Sequence, residues 1–570
     1  MKLHLPKLLC VAVMGAIALP TMGADTTYPY VQENEDGSYY MNVGFSTPGS
    51  NEESIVSYTP ENGTLTVKDN DKVGAFKNNI LDVDQMVTSY PDTSSTNENE
   101  YSYSNTLKIN GDLEIKGTGK VILGGQPGSN VYTGIIANTV TIDKTAEGTS
   151  SSPNLDATRA HIGSLIVNGG YVQMHTNEYS GNSFIGNEVG GTTFGGLKQV
   201  VITNKLEVNG GTVVIGRADG SVNTSHYMTA LGDRSDGSAY AGQMQVSSMS
   251  EGIIQSGGDL TIKGQTIAQS GLTINQTGGN MSIVNGSRLR LEGTDLTKIT
   301  QNGKNADTTM TIGQIVYSSI LSKSRNVGIE QLGLGTINLT NGVTYTSTTA
   351  STITQSGGGK INLSGDFSSA VFDITQSKGT INLNNGATMQ SNKLALDSNA
   401  LLNIAGSLTL NEGGTFEIAV NSAHDAAISI EATGSLVATA QALSLSLHEA
   451  VVSDMMDTVE SATESGLLTY TIDLISSTDK SKLDTLLGQL TWEWEGLPQT
   501  AALAADTLTT VVTYDYIDSG LVVNDMGDGT YMLQAATNWN VEVTEQIPEP
   551  ATATLGLLAL AGLAARRRRR

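Results

Sequence analysis

The chain has 570 residues, of which 56 are acidic and 31 are basic, and its formal net charge at pH 7 is -25. This charge opposes the phosphate neutralisation on which nucleic-acid binding depends, so DNA and RNA are excluded as expected partners. A glycine count of 64 against 11 prolines, with only 5% aromatic residues, indicates turn-rich β structure and leaves the ligand and the chemistry open.

Residues 1–24 have the pattern of a secretory signal peptide. Lys2 and Lys7 precede or border an apolar run at 8–19, and small residues follow it. This order predicts export across the inner membrane by the general secretion machinery, followed by removal of the segment. Cys10, the single cysteine of the sequence, lies inside the removable segment, so we expect a mature chain without disulfides or cysteine-metal sites.

Residues 25–105 are predicted to form an N-terminal β cap and a linker. The segment includes the polar run PDTSSTNENEYSYSN at 91–105. A β cap at this position would cover the open edge of the first coil of the repeat that follows, because unpaired edge strands invite association.

Residues 106–424 carry a repeat of short strands and Gly/Asn turns. Its clearest copies are IIQSGGDLTI (253–262), INQTGGNMSI (274–283), IEQLGLGTINL (329–339), ITQSGGGKINL (353–363) and ITQSKGTINL (374–383). With a looser copy at 299–303 included, the mean step between successive glutamines is about 24 residues. A period of this size without helices predicts a mainly β fold, a right-handed parallel β-helix in which each coil lies on the last.

The repeated glutamines are predicted to share a face with the core. Ile353 and Gln355 have the same parity along their strand and therefore point to the same side. Stacked coils would place glutamine over glutamine about 4.8 Å apart, so that their amides can bond between neighbours. We therefore predict a structural ladder, rather than a ligand contact, made of Gln255, Gln276, Gln331, Gln355 and Gln376.

Residues 425–546 are predicted to form an α+β domain that caps the solenoid. Apolar residues at helical spacing predict two short helices, one around 451–459 and one around 483–490. Strand-like runs surround these helices, at 469–475, 510–516 and 521–534, the last of them a hairpin.

Residues 547–570 combine three features in a fixed order. The motif Pro548-Glu549-Pro550 comes first, and an apolar run at 551–565 follows it. The chain then ends in five arginines, Arg566, Arg567, Arg568, Arg569 and Arg570. This order resembles the PEP-CTERM sorting signal of Gram-negative bacteria. The resemblance implies that an exosortase, a membrane-embedded cysteine transpeptidase-like enzyme, recognises the tail and cleaves near the Pro-Glu-Pro motif.

The apolar run of this tail predicts transient anchoring in the inner membrane. A helix over 551–565 would be about 22 Å long, which is short for a hydrocarbon core of ~30 Å. The arginines would stay cytoplasmic by the positive-inside rule and leave the body of the chain outside. We expect the protein at the outer surface or in the extracellular matrix after the tail has been processed.

The repeat region resembles the β-helical passenger regions of autotransporters and filamentous adhesins. The resemblance lies in the texture of the repeat and carries no motif. Those passengers end in a translocating β-barrel, whereas this chain ends in the sorting tail. The resemblance therefore implies a rod-like, adhesin-like body and does not support self-translocation.

No pattern of catalytic or metal-binding residues is found, so we expect a protein that is not an enzyme and needs no cofactor. The histidines outside the signal peptide form neither an HExxH motif nor an i, i+4 pair, so their spacing does not indicate a zinc site. They are His161, His175, His226, His424 and His448. Trp492-Glu493-Trp494-Glu495 would space two carboxylates about 6.6 Å apart, as inverting glycosidases do. The tryptophans would point to the opposite face, so we interpret this segment as a half-buried strand.

Two further segments are candidate binding surfaces. The excursion at 217–250 interrupts the coil pattern, and long loops on rigid scaffolds are often functional or else disordered. A glycan site would be expected there, and its residues would be Arg217, His226, Tyr227, Arg234 and Tyr240. Outward Thr336-Asn338-Thr340 and Thr380-Asn382-Asn384 are similar to the threonine arrays of ice-binding solenoids. Because Lys360, Asn362 and Ser364 break the array between them, we interpret these residues as a solvated face.

The sequence favours an exported β-solenoid of the cell surface or extracellular matrix with an adhesive or structural role. An exosortase-type processing enzyme is the expected partner of its tail. The alternative is a carbohydrate-active enzyme, a polysaccharide lyase or hydrolase, on the same scaffold. Glycans or an extracellular polysaccharide are the partners expected for either role.

Overall fold

The computed structural model describes residues 134–545 and, before them, only the short strands given below. Within 134–545 its gaps are 145–148, 151–152, 158–159, 176–199, 217–227, 232–248, 264, 270, 293–295, 318–325, 345–349, 398, 440, 496–502 and 507–509. The predicted signal peptide at 1–24, the polar run at 91–105 and the predicted sorting tail at 547–570 lie outside the described residues.

The described chain is mainly β, and strands follow one another from its start. The first nine are β1 (Val31–Glu33), β2 (Tyr39–Met41), β3 (Val56–Thr59), β4 (Thr64–Val67), β5 (Ile80–Asp82), β6 (Thr106–Lys108), β7 (Asp112–Lys116), β8 (Lys120–Ile122) and β9 (Gly134–Asp143). The next twelve are β10 (Leu155–Ala157), β11 (Ala160–Val167), β12 (Tyr171–His175), β13 (Val200–Val208), β14 (Thr212–Gly216), β15 (Met228–Leu231), β16 (Gly252–Gln255), β17 (Asp259–Ile262), β18 (Gln265–Gln269), β19 (Thr273–Gln276), β20 (Asn280–Glu292) and β21 (Thr297–Gln301).

The clearest repeats of the sequence continue this series. Their strands are β22 (Thr309–Tyr317), β23 (Val327–Gln331), β24 (Thr336–Leu339), β25 (Val343–Thr344), β26 (Ser351–Gln355), β27 (Lys360–Leu363), β28 (Asp366–Gln376), β29 (Gly379–Leu383), β30 (Thr388–Asp397), β31 (Ala400–Ile404), β32 (Ser407–Val420), β33 (Ile428–Ile430), β34 (Ser435–Val437) and β35 (Gln441–Leu447). The last elements are α1 (Glu449–Glu460), β36 (Gly466–Ser477), α2 (Lys480–Leu487), β37 (Leu490–Glu495), β38 (Leu503–Asp506), β39 (Thr510–Asp525) and β40 (Tyr531–Glu545).

The strands of the repeat region form long parallel sheets. A strand pairs with the strand two or three places further along the chain, as β16 does with β19 and β17 with β20. One column of paired residues runs without a break through Leu113, Val140, Leu165, Leu206, Ile253, Ile274, Ile299, Ile329, Ile353, Ile374, Leu394, Phe416, Leu443 and Trp492. Like residues therefore lie on like residues, which is the arrangement that a stacked repeat produces.

Alternation of side chains along each strand builds one continuous core. In β26 the first, third and fifth residues are buried, whereas Thr352 is exposed and Thr354 is half-buried. Phe367 and Phe372 of β28 add a buried edge-to-face aromatic pair, with ring centroids 6.1 Å apart. Since the strand period is two, each short repeat places its β-branched and leucine side chains on the inner face.

The sequence spacing between paired residues varies from one pair of strands to the next. Paired glutamines are 21 residues apart at Gln255 and Gln276 but 30 residues apart at Gln301 and Gln331. Register is nevertheless kept within the paired strands, so the additional residues lie between them. A parallel sheet tolerates this variation because the connections lie outside the ladder of backbone hydrogen bonds.

The sheet changes direction near the C-terminal end of the described chain. Strand β36 pairs in parallel with β33 on one side and antiparallel with β40 on the other. Strand β39 then pairs antiparallel with β40 in a hairpin, whose turn is closed by a hydrogen bond from Met526 N to Thr530 O of 3.0 Å. The repeat region thus passes into an antiparallel sheet without a break in strand pairing.

Two helices pack on this antiparallel part of the fold. Helix α1 buries Val451, Met455 and Val459, which have the predicted i, i+4 spacing. Helix α2 ends at Leu487, and Gly488 is its C-cap. Leu490, which the sequence pattern had placed in the second helix, instead begins β37, where it pairs with β35.

Tyrosine hydroxyls fix α1 to the sheet. The hydroxyl of Tyr470 donates to Asp454 at 2.6 Å, and that of Tyr514 donates to Glu460 at 2.7 Å. Burial and these carboxylates raise the pKa of both tyrosines well above their ordinary value of 10.0. Trp539 packs edge-on against Tyr514, with ring centroids 6.0 Å apart.

Across the residues that the structure describes, no helix has the length and apolar character needed to span a membrane.

Candidate functional site

One interior column of side chains changes from apolar residues to glutamines and back again. Its paired members are Ile115, Ile142, Val167, Val208, Gln255, Gln276, Gln301, Gln331, Gln355, Gln376, Leu396, Ile418 and Leu445. All six glutamines are at most 1% exposed. We call them the glutamine column. Such deep burial of amides requires hydrogen-bond partners inside the protein.

Neighbouring glutamines of the column bond to each other in three pairs. The Nε2 atom of Gln276 donates to Oε1 of Gln255 at 3.1 Å. The same bond joins Gln331 to Gln301 at 2.7 Å and Gln376 to Gln355 at 3.3 Å. Of the predicted ladder residues, two pairs are therefore in direct contact, and Gln331 bonds to Gln301, the glutamine of the looser repeat.

Each glutamine also bonds to the turn that follows its strand. The Nε2 atom of Gln255 donates to Gly258 O at 2.9 Å, and that of Gln355 donates to Gly359 O at 2.7 Å. A side chain other than glycine would leave no room for this contact: a Cβ atom at Gly379 would lie 2.5 Å from Nε2 of Gln355. In five of the six glutamines the amide thus bonds to a glycine three or four residues later and closes the turn, whereas Gln301 reaches Thr308 O at 3.5 Å.

Three amide oxygens of the column have no partner. They are Oε1 of Gln276, Gln331 and Gln376, the donor member of each pair. A buried acceptor without a hydrogen bond costs about 1–3 kcal/mol. The column consequently consists of three bonded pairs rather than one uninterrupted ladder, and its other contacts include those to the turns that follow the strands.

A second amide column lies on the outer side of the neighbouring strands. Asn362 Nδ2 donates to Asn338 Oδ1 at 2.8 Å, and Asn382 Nδ2 donates to Asn362 Oδ1 at 2.7 Å. Asn403 continues the series toward Asn382 at 2.9 Å, and Asn338 donates to Thr311 Oγ1 at 3.3 Å. These four asparagines, which we call the asparagine column, are half-buried and bond in one direction without interruption.

A column of hydroxyl and other side chains runs beside the asparagine column. Its paired members are Thr309, Thr336, Lys360, Thr380 and Leu401. Together with Thr311 and the asparagine column they form what we call the outer polar face. Lys360 carries the single charge of this set, so the face is close to neutral.

The outer face of the strands that carry the glutamines is charged instead. Lys298 and Glu330, on β21 and β23, form an ion pair at 2.9 Å, and Lys393 and Glu417 lie 3.8 Å apart on β30 and β32, which continue the same sheet beyond the glutamines. Burial raises the pKa of Asp373, which lies between these pairs, although Lys393 acts in the opposite direction. The two outer faces of the repeat region thus differ sharply in charge.

All five of the predicted glycan-loop residues lie outside the described part of the chain. This applies to Arg217, His226, Tyr227, Arg234 and Tyr240. Inside the same excursion, β15 pairs in parallel with β13 and with β18, so a strand of the sheet lies in the middle of the segment. The glycan site at 217–250 stays a prediction.

The tryptophan-glutamate segment lies in β37, in parallel pairing with β35. Trp492 is half-buried in line with the core column, and Glu493 is exposed. The side chains of Trp494 and Glu495 lie outside the described residues. In the described ranges, no group of three His, Cys, Asp or Glu side chains is arranged to hold a metal ion.

Sequence reasoning interpreted the asparagines as a solvated face and did not anticipate their mutual hydrogen bonds. The available signal was the recurring triplet Ile-Asn-Leu at 337–339, 361–363 and 381–383. Between two buried residues an asparagine must point outward, and stacking then brings it within reach of the next one.

The tail of the chain is similar to a known sorting signal. Residues 546–570 match the family described as the PEP-CTERM protein-sorting motif. No curated protein and no solved structure matches the chain. The match implies an exported protein that exosortase processes and sorts to the cell surface, which agrees with the prediction from Pro548-Glu549-Pro550 and the terminal arginines.

Proposed function

We propose that this protein is an exported structural or adhesive element of the cell surface or extracellular matrix, without enzymatic activity. Its body would be a right-handed parallel β-helix with a period near 24 residues, closed by an N-terminal cap and by the C-terminal α+β unit. The single observation that carries this proposal is the unbroken column of stacked core residues from Leu113 to Trp492.

The length of that column supports a role as a stiff spacer. Parallel strands lie about 4.8 Å apart, so the thirteen steps of the column would give a body on the order of 60 Å long. Each coil is joined to the next by backbone hydrogen bonds and by buried leucine or isoleucine side chains. Bending such a rod would require breaking both kinds of contact at once.

The corner contacts support the same role. The glutamine column joins strand, turn and neighbouring coil at six successive levels, for example through the bonds of Gln276 to Gly279 O at 3.0 Å and to Thr309 O at 2.7 Å. These contacts rigidify the coils internally and leave the outer faces free to meet a partner. An adhesive or structural protein needs a rigid body together with outer faces that a partner can reach.

Delivery is the part of the proposal that the sorting motif supports. An exosortase substrate would reach the surface only with an intact tail, so deletion of residues 548–570 is the first test. We expect the truncated protein to lose its cell-surface location and its C-terminal processing, as followed by fractionation and mass spectrometry. Unchanged location and processing would contradict the sorting claim.

The adhesive or structural role is tested by deleting the whole chain from the producing cells. We expect weaker attachment of the cells or a weaker matrix, with growth unchanged. A variant that lacks only the tail separates the two parts of the proposal, because it keeps the body and removes its delivery. If the null strain and the wild type formed equal matrices, the structural role would be wrong even with the sorting confirmed.

A further inference from the structure

We propose that the outer polar face binds an extended, uncharged polysaccharide that runs along the stacking direction of the coils. The inference rests on the proposed surface role and names its partner. It starts from the asparagine column, whose four amides are bonded in one direction over successive strands.

The amides of this column keep hydrogen-bonding capacity for a ligand. An asparagine side chain has two N–H donors and an oxygen with two lone pairs. In Asn362 and Asn382 the column uses one donor and one lone pair of each side chain. The second donor and the second lone pair are left to face solvent, and a sugar hydroxyl can both accept from the one and donate to the other.

The column also orders these groups before any ligand arrives. Each amide is held by its neighbours at 2.7–2.9 Å, so its plane is fixed by the stack rather than by the ligand. Binding then loses little side-chain entropy, which is the usual cost of recognising a flexible polar polymer. The same group recurs about every 4.8 Å along the stacking direction, which suits a polymer better than a single small molecule.

The charge of the face selects an uncharged ligand. The chain as a whole carries a net charge of -25, whereas the outer polar face carries only Lys360. An anionic polymer would be repelled by the whole molecule and would meet one lysine, while a neutral polyol would lose nothing by approaching. The sheet that carries the glutamines has ion pairs on its outer face, Lys298–Glu330 on β21 and β23 and Lys393–Glu417 on β30 and β32, so it offers no comparable surface.

Leu401 and the threonine methyl groups add apolar contacts that complement the C–H groups of sugar rings. They flank the asparagine column on one side, where Leu401 is half-buried beside Asn403. Sugar rings present C–H groups between their hydroxyls, so a surface of amides next to methyl groups matches both parts of the polymer.

The test measures binding of the full exported protein to soluble mixed-linkage β-glucan, with alginate as the anionic comparison. We expect retention by the β-glucan and not by alginate, without shortening of the glucan. Asn362→Ala/Asn382→Ala is expected to weaken binding about tenfold, since two amide contacts are lost. The matched control is Thr354→Ala/Thr375→Ala, two outward residues on β26 and β28, which should bind as the wild type does.

A second variant guards against a loss of fold. Asn362→Lys projects a long side chain from the same face without touching the core, and it should block the path of the polymer while leaving the unfolding midpoint unchanged. Equal binding by the wild type and by both face variants would overturn this site and leave the surface role intact, as would the absence of glucan binding in a protein that still supports attachment. Shortening of the glucan would instead overturn the proposed non-enzymatic function.

Discussion

The glutamine column and the asparagine column carry the same chemical group in opposite surroundings. The glutamines lie inside, are at most 1% exposed and bond to turns as well as to each other. The asparagines lie outside, are half-buried and bond chiefly along their own column. The interior series breaks into pairs with three unpartnered oxygens, whereas the exterior series is continuous.

This difference shows that the same stacked amide does different work on the two sides of a sheet. A buried amide has no water to replace a missing partner, so its bonds to backbone carbonyls decide whether a corner can close. An outer amide can exchange partners with water at little cost, so its column organises a surface rather than the fold. Four predictions test this contrast, and the largest effect is expected at the inner corners.

Substitution of a corner glycine should be the most damaging change. A Cβ atom at Gly379 would lie 2.5 Å from Gln355 Nε2 and 2.6 Å from Gly359 O, at a φ of 76°. We expect Gly379→Ala to lower the free energy of unfolding by about 3 kcal/mol or more, from overpacking and backbone strain together. The control is Gly386→Ala, where φ is 78° and nothing lies within 4 Å, so that only the strain of about 1–2 kcal/mol remains. Equal losses in urea titrations would show that the inner contact does not matter.

Single glutamines should cost less than the corner glycine, and their coupling should follow the pairs. Gln331→Leu is expected to lower the free energy of unfolding by about 2 kcal/mol, because it leaves the buried Gln301 Oε1 without a donor and Gly335 O with only the backbone N–H of Lys360. In double-mutant cycles, Gln301 with Gln331 should couple by about 1 kcal/mol, whereas Gln276 with Gln301 should be additive. Equal coupling at both steps would mean that the column is a continuous ladder.

The sequence predicts the inner glutamine column better than the outer asparagine column. Gln255, Gln276, Gln331, Gln355 and Gln376 were predicted to stack because parity placed them with the core isoleucines, and the structure places them in one column. The alternation into bonded and unbonded steps was not predictable, because parity fixes the side of the strand on which an amide lies and not the direction in which the amide group points. Gln301 lies in the looser repeat, whose sequence motif is weak. Strand pairing nevertheless places it in the column, between Gln276 and Gln331.

The stability of the C-terminal sheet should depend on pH, unlike the contribution of the two amide columns, because tyrosines titrate and amides do not. The pKa values of Tyr470 and Tyr514 are raised by burial and by their carboxylate partners. The folded state therefore retains protons that the unfolded chain loses above about pH 10, so stability is constant below that pH and falls as the pH rises further. Tyr514→Phe should cost about 1–2 kcal/mol at pH 8 and flatten the alkaline loss, as followed by Trp539 fluorescence. A loss that began near neutral pH would point to a different group.

The smallest effect is expected on the outer column. Asn362→Ala removes two bonds at 2.8 and 2.7 Å, but water can replace them because the side chain is half-buried. We expect a change in the free energy of unfolding within about 0.5 kcal/mol. A loss as large as that of Gln331→Leu would mean that the two columns do the same structural work, and the contrast between them would fail.

The central claim is that this exported body acts by its surface and not by catalysis. The measurement that tests it most directly incubates the processed protein, recovered from the producing cells, with a panel of neutral and anionic polysaccharides. Bound polymer and polymer chain length are followed together over time. The account predicts retention of a neutral polymer at constant chain length. Shortening of any polymer, absent from a parallel preparation without the protein, would contradict it and make the stacked strands a catalytic scaffold.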